Sequence, residues 1–492
     1  MKKISTLLIV SLWAIGSLCA QQELGLHFMQ ELGQSKRVNP AVDHPYGIHV
    51  GLPSPGLSFF NSGFSLNDVF TKDGTTWSFN PTSTLPKLQR DRNDIRLSSN
   101  LESLSVGFNI GKFQINLFHN MNMDFGLMFP RALAEIAWHG NTFYLGDTVN
   151  VAPSLDLMGY HEFGGGVAFD LLDNLRVGAN LKYLQGMISL NTRHSMLDFY
   201  TDPEYYALSV SSNIYFNSSG FAPDFYKESN EDVFPSSTGT TFLFNGNRGV
   251  ALDLGAVLQV DEQLQVSFSA LDIGAILWKS SVYSHRSMGA YTFGGADVNP
   301  FRSESEVDLS EVADSLGSGL ELTASGEIYT TFLVPKFYLS TRYDIGNGMQ
   351  AGGLIYTDIY KGRVNPAVGL SFRKRFGKIL YLGTLVSLHA RSKPNVGLNG
   401  SLNLGPVQLF FVSDNLPGVF SLSNGKNTNL RFGLNVVLRP KTAQEKAIED
   451  MQKANIPVGA LEEAPGNEEE NLIPKFYNPW IKKAVKADLG GL

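Results

Sequence analysis

The residues best suited to chemistry are sparse and do not gather. Nine histidines stand at 27, 44, 49, 119, 139, 161, 194, 285 and 389. None is paired as His-x-x-x-His or joined by glutamate at a metal-ligand spacing. The single cysteine, Cys19, has no companion for a disulfide or a thiolate site. There is no G-x-S-x-G turn to expose a nucleophilic serine and no glycine loop to cradle phosphate. Trp138-His139 and Tyr160-His161 set imidazoles beside aromatic rings, which suits anchors in an interfacial girdle. No catalytic residue, cofactor or metal is therefore assigned, and the chain reads as a non-enzyme. What recurs instead is isolated polar residues within alternating runs: Arg176, Asn180, Lys182, Asp253, Arg342, Arg391 and Arg431. Their use depends on the elements that carry them.

Those elements alternate with period two. Leu430, Phe432, Leu434, Val436 and Leu438 fall on one face, and Arg431, Gly433, Asn435, Val437 and Arg439 on the other. Leu104, Val106, Phe108 and Ile110 do the same against Ser103, Ser105, Gly107 and Asn109. So do Leu252, Leu254, Ala256 and Leu258 against Asp253, Gly255 and Gln259. Each run is about 10 residues, the length a tilted strand needs to cross hydrocarbon. A soluble propeller or sandwich also alternates, but the face opposite the apolar one here keeps Arg, Lys, Asn and Asp rather than a dry core.

Composition agrees. The 492 residues are 43% hydrophobic and 17% charged, with 49 glycines and 33 phenylalanines, and the net charge of -7 leaves no footprint for nucleic acid. Lys2, Lys3, the apolar run Ile4 to Leu18 and Ala20 before Gln21 read as a cleaved export signal over residues 1–20. Cys19 offers a lipoprotein alternative, although Leu18 before it fits poorly. Beyond the signal no run of about 18 apolar residues could cross a bilayer as a helix, so a spanning chain must close as a barrel.

Short turns at Gly111, 171–174, 261–263, 346–348, 375–377 and 405–406 alternate with longer connections, the asymmetry of an outer-membrane barrel with its short side periplasmic. The spacing predicts strands at 57–66, 97–110, 112–120, 160–170, 175–190, 250–260, 264–276, 333–344, 349–358, 364–374, 378–390, 394–404, 407–413 and 428–439. The fold class expected is all-β: a transmembrane outer-membrane barrel of about 14 antiparallel strands, with long extracellular loops and a short helical C-terminal tail. The stretch from Tyr205 to Phe216 also looks extended, and Pro130 to His139 reads as a helix in the cap. Residues 21–56 form an N-terminal plug or periplasmic segment carrying Asn39-Pro40-Ala41. Residues 57–440 hold the barrel and cap, and 441–492 a solvated periplasmic tail with 9 acidic and 7 lysine residues.

By strand parity the seven polar residues named above face the lumen, where they pair or meet water. They serve either as an internal salt-bridge network closing a narrow barrel or as a solute path. In the tail, Phe476, Tyr477 and Trp480 read as anchors of a docking peptide or as incidental aromatics in a flexible segment.

Three strings carry a resemblance: Asn61-Ser62-Gly63-Phe64-Ser65-Leu66-Asn67-Asp68, Leu181-Lys182-Tyr183-Leu184-Gln185-Gly186-Met187, and Tyr200-Thr201-Asp202-Pro203 leading to Tyr206-Ala207-Leu208 and Ser211-Ser212. Over about residues 25 to 440 the chain resembles the domain-of-unknown-function 5723 family of Bacteroidota outer-membrane proteins. The resemblance implies a barrel related in architecture to the fatty-acid transporter FadL and the secretion-associated barrel PorV, without an established activity. Two functions follow as expectations. One is passage of a small hydrophobic compound across the outer membrane of a Gram-negative bacterium. The other is a non-transporting scaffold of an outer-membrane assembly or secretion complex that docks protein partners through tail and cap. An apolar cavity lined by strands and the N-terminal segment would favour the first, and a lumen sealed by ion pairs the second.

Overall fold

The structure is a computed structural model that describes residues 23–73, 76–220, 245–293, 322–389, 394–420 and 427–438. The expected export signal, Arg391 and the tail with Phe476, Tyr477 and Trp480 lie outside these residues. Among the described residues fourteen antiparallel strands close into one ring. In chain order they are β1 (Ile48–Gly51 continuing as Ser54–Asn61), β2 (Asn93–Ile110), β3 (Phe113–Phe129), β4 (Ser154–Leu172), β5 (Leu175–Thr201), β6 (Arg248–Gln259), β7 (Leu264–Trp278), β8 (Lys336–Gly346), β9 (Met349–Tyr360), β10 (Arg363–Phe376), β11 (Leu380–His389), β12 (Asn395–Leu404), β13 (Val407–Ser413) and β14 (Asn427–Leu438). Neighbours in sequence pair around the wall, and β1 closes it between β2 and β14, with Ile48 opposite both Phe108 and Leu438. Closure leaves no strand edge bare, which is the condition for a sheet to sit in lipid.

The outer face meets that condition as well. Leu181, Val250, Ile355, Leu370 and Phe432 point outward and are exposed, Leu370 to 70%. In water such a belt would be an aggregation surface; around a closed ring it is the face that meets acyl chains. The turn side carries tight hairpins: Gly111, Gly377 and Gly405 have φ of 59°, 60° and 64°, a conformation that glycine alone adopts without strain.

The first strand differs from expectation. It runs from Ile48 to Asn61 rather than over 57–66, because Asn61 Oδ1 accepts the N–H of Gly63 at 3.1 Å and turns the chain into a helical turn at Leu66–Val69. Several strands also continue past the membrane. The upper part of β5 pairs with Leu208–Ser219, which pairs with Val282–Phe293, which pairs with Leu322–Ser325. The extended stretch after Tyr205 thus belongs to a sheet standing above the barrel, not to its wall. The helix in the cap spans Arg131–His139.

Candidate functional site

Residues from Glu23 to Tyr46 lie inside the ring. Leu24, Leu26, Phe28, Met29 and Leu32 are buried against Tyr338, Leu354, Tyr356, Leu385, Phe410 and Val412, which β8, β9, β11 and β13 turn inward. Polar ties fix the segment at several heights. Asp414 accepts the N–H groups of Leu24 (2.7 Å) and Gly25 (2.8 Å). Arg373 holds Glu31 with two hydrogen bonds of 3.0 and 2.7 Å, and Gln34 donates to Glu102 (3.0 Å) and Asn435 (2.7 Å). Asn39-Pro40-Ala41 rests on the backbone of the wall. A Cβ at Gly178 would lie 2.6 Å from the Pro40 carbonyl carbon, and one at Gly255 2.2 Å from Asn39 Oδ1, so only glycine permits this approach.

A second network stands on β4 to β7. Lys182 Nζ lies 2.8 Å from Asp253, 2.7 Å from Asp272 and 3.7 Å from Glu162, while Lys336 reaches Asp272 at 2.5 Å. Asp272 has φ 59° in mid-strand, and its N–H donates to Asp253 at 2.8 Å across a register shift between Leu252 and Leu254. This bulge turns Leu271 and Asp272 inward together, so that one strand adds both an apolar and an acidic group to the lumen.

Above these ties the lumen opens. A cavity of about 770 Å³ has Lys182, Asp272 and Arg431 among its polar lining and Phe118, Met158, Leu271, Phe332, Tyr338 and Tyr356 among its apolar lining. Glu23 and Val38 of the inner segment line it too, so wall and plug build it jointly. Its size suits a drug-sized molecule, and its lining sets aromatic and aliphatic side chains among many polar and charged ones, Arg37, Asp124, Glu162 and Lys336 included. Among the described residues no group of three or more His, Cys, Asp or Glu side chains is placed to hold a metal ion.

The model of a family of unknown function, DUF5723, matches residues 40–414. The chain belongs to that family. No curated protein matches it in sequence. Among solved structures, this member of the DUF5723 family is similar to the toluene transporter TbuX of Ralstonia pickettii, 9% identical with a TM-score of 0.42 over 83% of this chain and 94% of that one. It is also similar to the P. putida toluene transporter TodX, 8% identical with a TM-score of 0.39 over 82% and 92%, and to a Pseudomonas aeruginosa FadL homologue, 8% identical with a TM-score of 0.37 over 82% and 92%.

The lumen of this family member gathers most of the residues singled out by parity. Arg176 bonds Asp170 at 2.8 Å and Gln114 at 3.2 Å, with Asp43 of the plug 3.6 Å away. Asn180 donates to Asp253 at 3.1 Å, joining the Lys182 network. Arg431 holds Glu23 and also donates to the Ser54 carbonyl (3.0 Å) and Asn100 (2.7 Å). Arg342 donates to Gln30 of the plug, apart from the cavity. Four further members escaped the reading: Glu162, Asp272, Lys336 and Arg373. Parity would have found Glu162, opposite the exposed Phe163, and Arg373, opposite the exposed Phe372. It could not find Asp272, because the bulge reverses the count.

Proposed function

We propose that the protein is an outer-membrane barrel that takes up a small hydrophobic compound from the loop side. The observation that carries this reading is the cavity of about 770 Å³ above the plug, where Phe118, Phe125, Leu271, Phe332 and Tyr338 form an apolar part of a wall that also carries charged groups. An apolar solute gains by leaving water for such a wall, and the mouth faces away from the tight turns, hence toward the cell exterior. Passage onward requires the ties of Glu23, Glu31 and Gln34 to give way, so the resting state is a loaded or empty receptor rather than an open pore. The same ties favour the second reading, a sealed scaffold that docks partners through Phe476, Tyr477 and Trp480.

The test is saturable binding of trifluorotoluene to the purified barrel, followed by fluorine NMR. Leu271→Trp, which fills the cavity, is expected to weaken binding by about tenfold, or about 1.4 kcal/mol. Phe118→Ala, which enlarges it, should admit bulkier aromatics. Binding unchanged in both folded variants would sink the uptake reading. A chain ended after Pro440 that stays folded but loses co-purifying proteins would support the scaffold.

A further inference from the structure

The hairpin tip joining β9 to β10 leaves its own wall and rests on the opposite one. Tyr360 donates its hydroxyl to Asp156 at 2.9 Å; Lys361 meets the other Asp156 oxygen at 2.9 Å and donates to the Thr192 carbonyl at 2.7 Å. Asp156 is on β4 and Thr192 on β5, so these contacts cross the lumen. Arg96 of β2 completes the clasp, its guanidinium 4.2 Å from the Tyr360 ring centre, 5.5 Å from that of Phe60, and 3.6 Å from Asp358. Gly126 leaves room for it: a Cβ there would sit 2.2 Å from the Tyr360 hydroxyl. Lys361 and Gly362 have φ of 49° and 73°, the pattern of a tight two-residue hairpin turn.

This strap divides two chambers. Thr192, Arg193 and Lys361 line both the inner cavity and an outer cleft of about 960 Å³. The outer cleft is basic: Arg90, Arg92, Arg131, Arg193, His194 and Lys361 line it, against Asp91 and Glu135. Glu135 is already committed, at 2.7 Å to Arg131 and through a hydrogen bond from Tyr144. Burial and that bond push the Tyr144 phenol up to about 12. Arg92 is held by Asp94 at 2.7 Å. Among the described residues neither Arg90 nor Arg193 has a carboxylate within 4.0 Å; Arg193 donates to the Thr330 carbonyl at 2.6 Å.

We propose that the outer cleft binds a ligand bearing two or more anionic groups of phosphate or carboxylate chemistry, and that this ligand releases the strap by drawing Lys361 from Asp156. Guanidiniums without counter-charges are the donors that favour such oxyanions. The ligand gains one more cation when Lys361 turns outward, so it binds the open state better and shifts the population toward it. The strap then gates the cavity assigned to uptake above, and the inference rests on that reading for the purpose of the gate, not for its existence.

The experiment uses the full barrel carrying Cys19→Ser and Ser189→Cys, which places a thiol in the cavity, and follows its labelling rate with a maleimide. Inorganic pyrophosphate is expected to speed labelling about fivefold, the scale of the partly exposed ion contacts that hold the strap. Asp156→Asn should label fast without any anion. Arg90→Gln with Arg193→Gln should abolish the response to pyrophosphate. Nanodiscs of phosphatidylcholine with and without lipid A separate the sources. A response to lipid A alone assigns a phosphorylated headgroup, and a response to pyrophosphate a soluble anion. Labelling indifferent to both, or a response that survives the double variant, overturns the proposal. Loss of trifluorotoluene binding with the anion response intact overturns the uptake reading alone.

Discussion

The two sides of the lumen wall solve the same problem in opposite ways. From β3 to β6 the inward positions include Gln114, Asn116, Asn120, Glu162, Arg176, Asn180, Lys182 and Asp253, all buried and joined by hydrogen bonds and ion pairs, beside a smaller apolar set such as Phe118 and Tyr160. From β8 to β13 they include Tyr338, Leu354, Tyr356, Leu385, Phe410 and Val412, which pack on the apolar side of the plug. The first side is held by partners that must all be present; the second is held by contact area that degrades gradually. A barrel can thus be plugged without a wholly polar interior, provided the plug is itself amphipathic.

The sharpest way to break the polar side is Lys182→Met. It leaves Asp253, Asp272 and Glu162 crowded without their shared cation. Removing one member of a buried charged network costs about 3–5 kcal/mol, so urea unfolding in micelles should show a loss of that order. Adding Asp253→Asn should restore part of it. If the single variant unfolds like the parent, water already screens the network and the contrast between the sides disappears. On the apolar side Leu385→Ala is the matched change, at a side chain with no exposure. It should cost about 2–4 kcal/mol and loosen the plug without altering the charge ties. Proteolysis of the segment around Leu32 would register that loosening.

The contrast also explains what could be read from the sequence. The wall was legible: fourteen strands and the turns at Gly111, Gly377 and Gly405 follow from alternation and glycine placement, because closure in lipid demands that one face stay apolar. Alternation does not say what the other face meets. Apolar neighbours such as Leu354-Ile355, Leu385-Val386 and Leu409-Phe410 mark strands covered on both sides. That signal told against a hydrated interior along β9, β11 and β13. The cavity could not be read at all, since it needs Phe118 and Tyr338 from separate strands and a bulge at Asp272 that parity does not foresee. The strap stayed hidden for a similar reason: 360–363 has the look of a plain turn until its contacts reach across the ring to Asp156.

The smallest effect expected is a gain. Lys36 of the plug is 3% exposed, and its Nζ has no hydrogen-bond partner among the described residues. It faces the polar side, where burial and then Arg176 oppose its charge and Asp43 favours it. If pairing is what makes a charge tolerable on that side, a cation left without a bond is a net cost there. Lys36→Met keeps the length of the stem and removes the ammonium, so it should stabilise the barrel by about 1–2 kcal/mol in the same urea assay. A loss of stability instead would mean that Lys36 is satisfied by bound water or an anion, and that the polar side is wetter than its ion pairs imply. The same substitution therefore separates a dry network from a hydrated one, which Lys182→Met alone cannot do because it removes a partner that several carboxylates share.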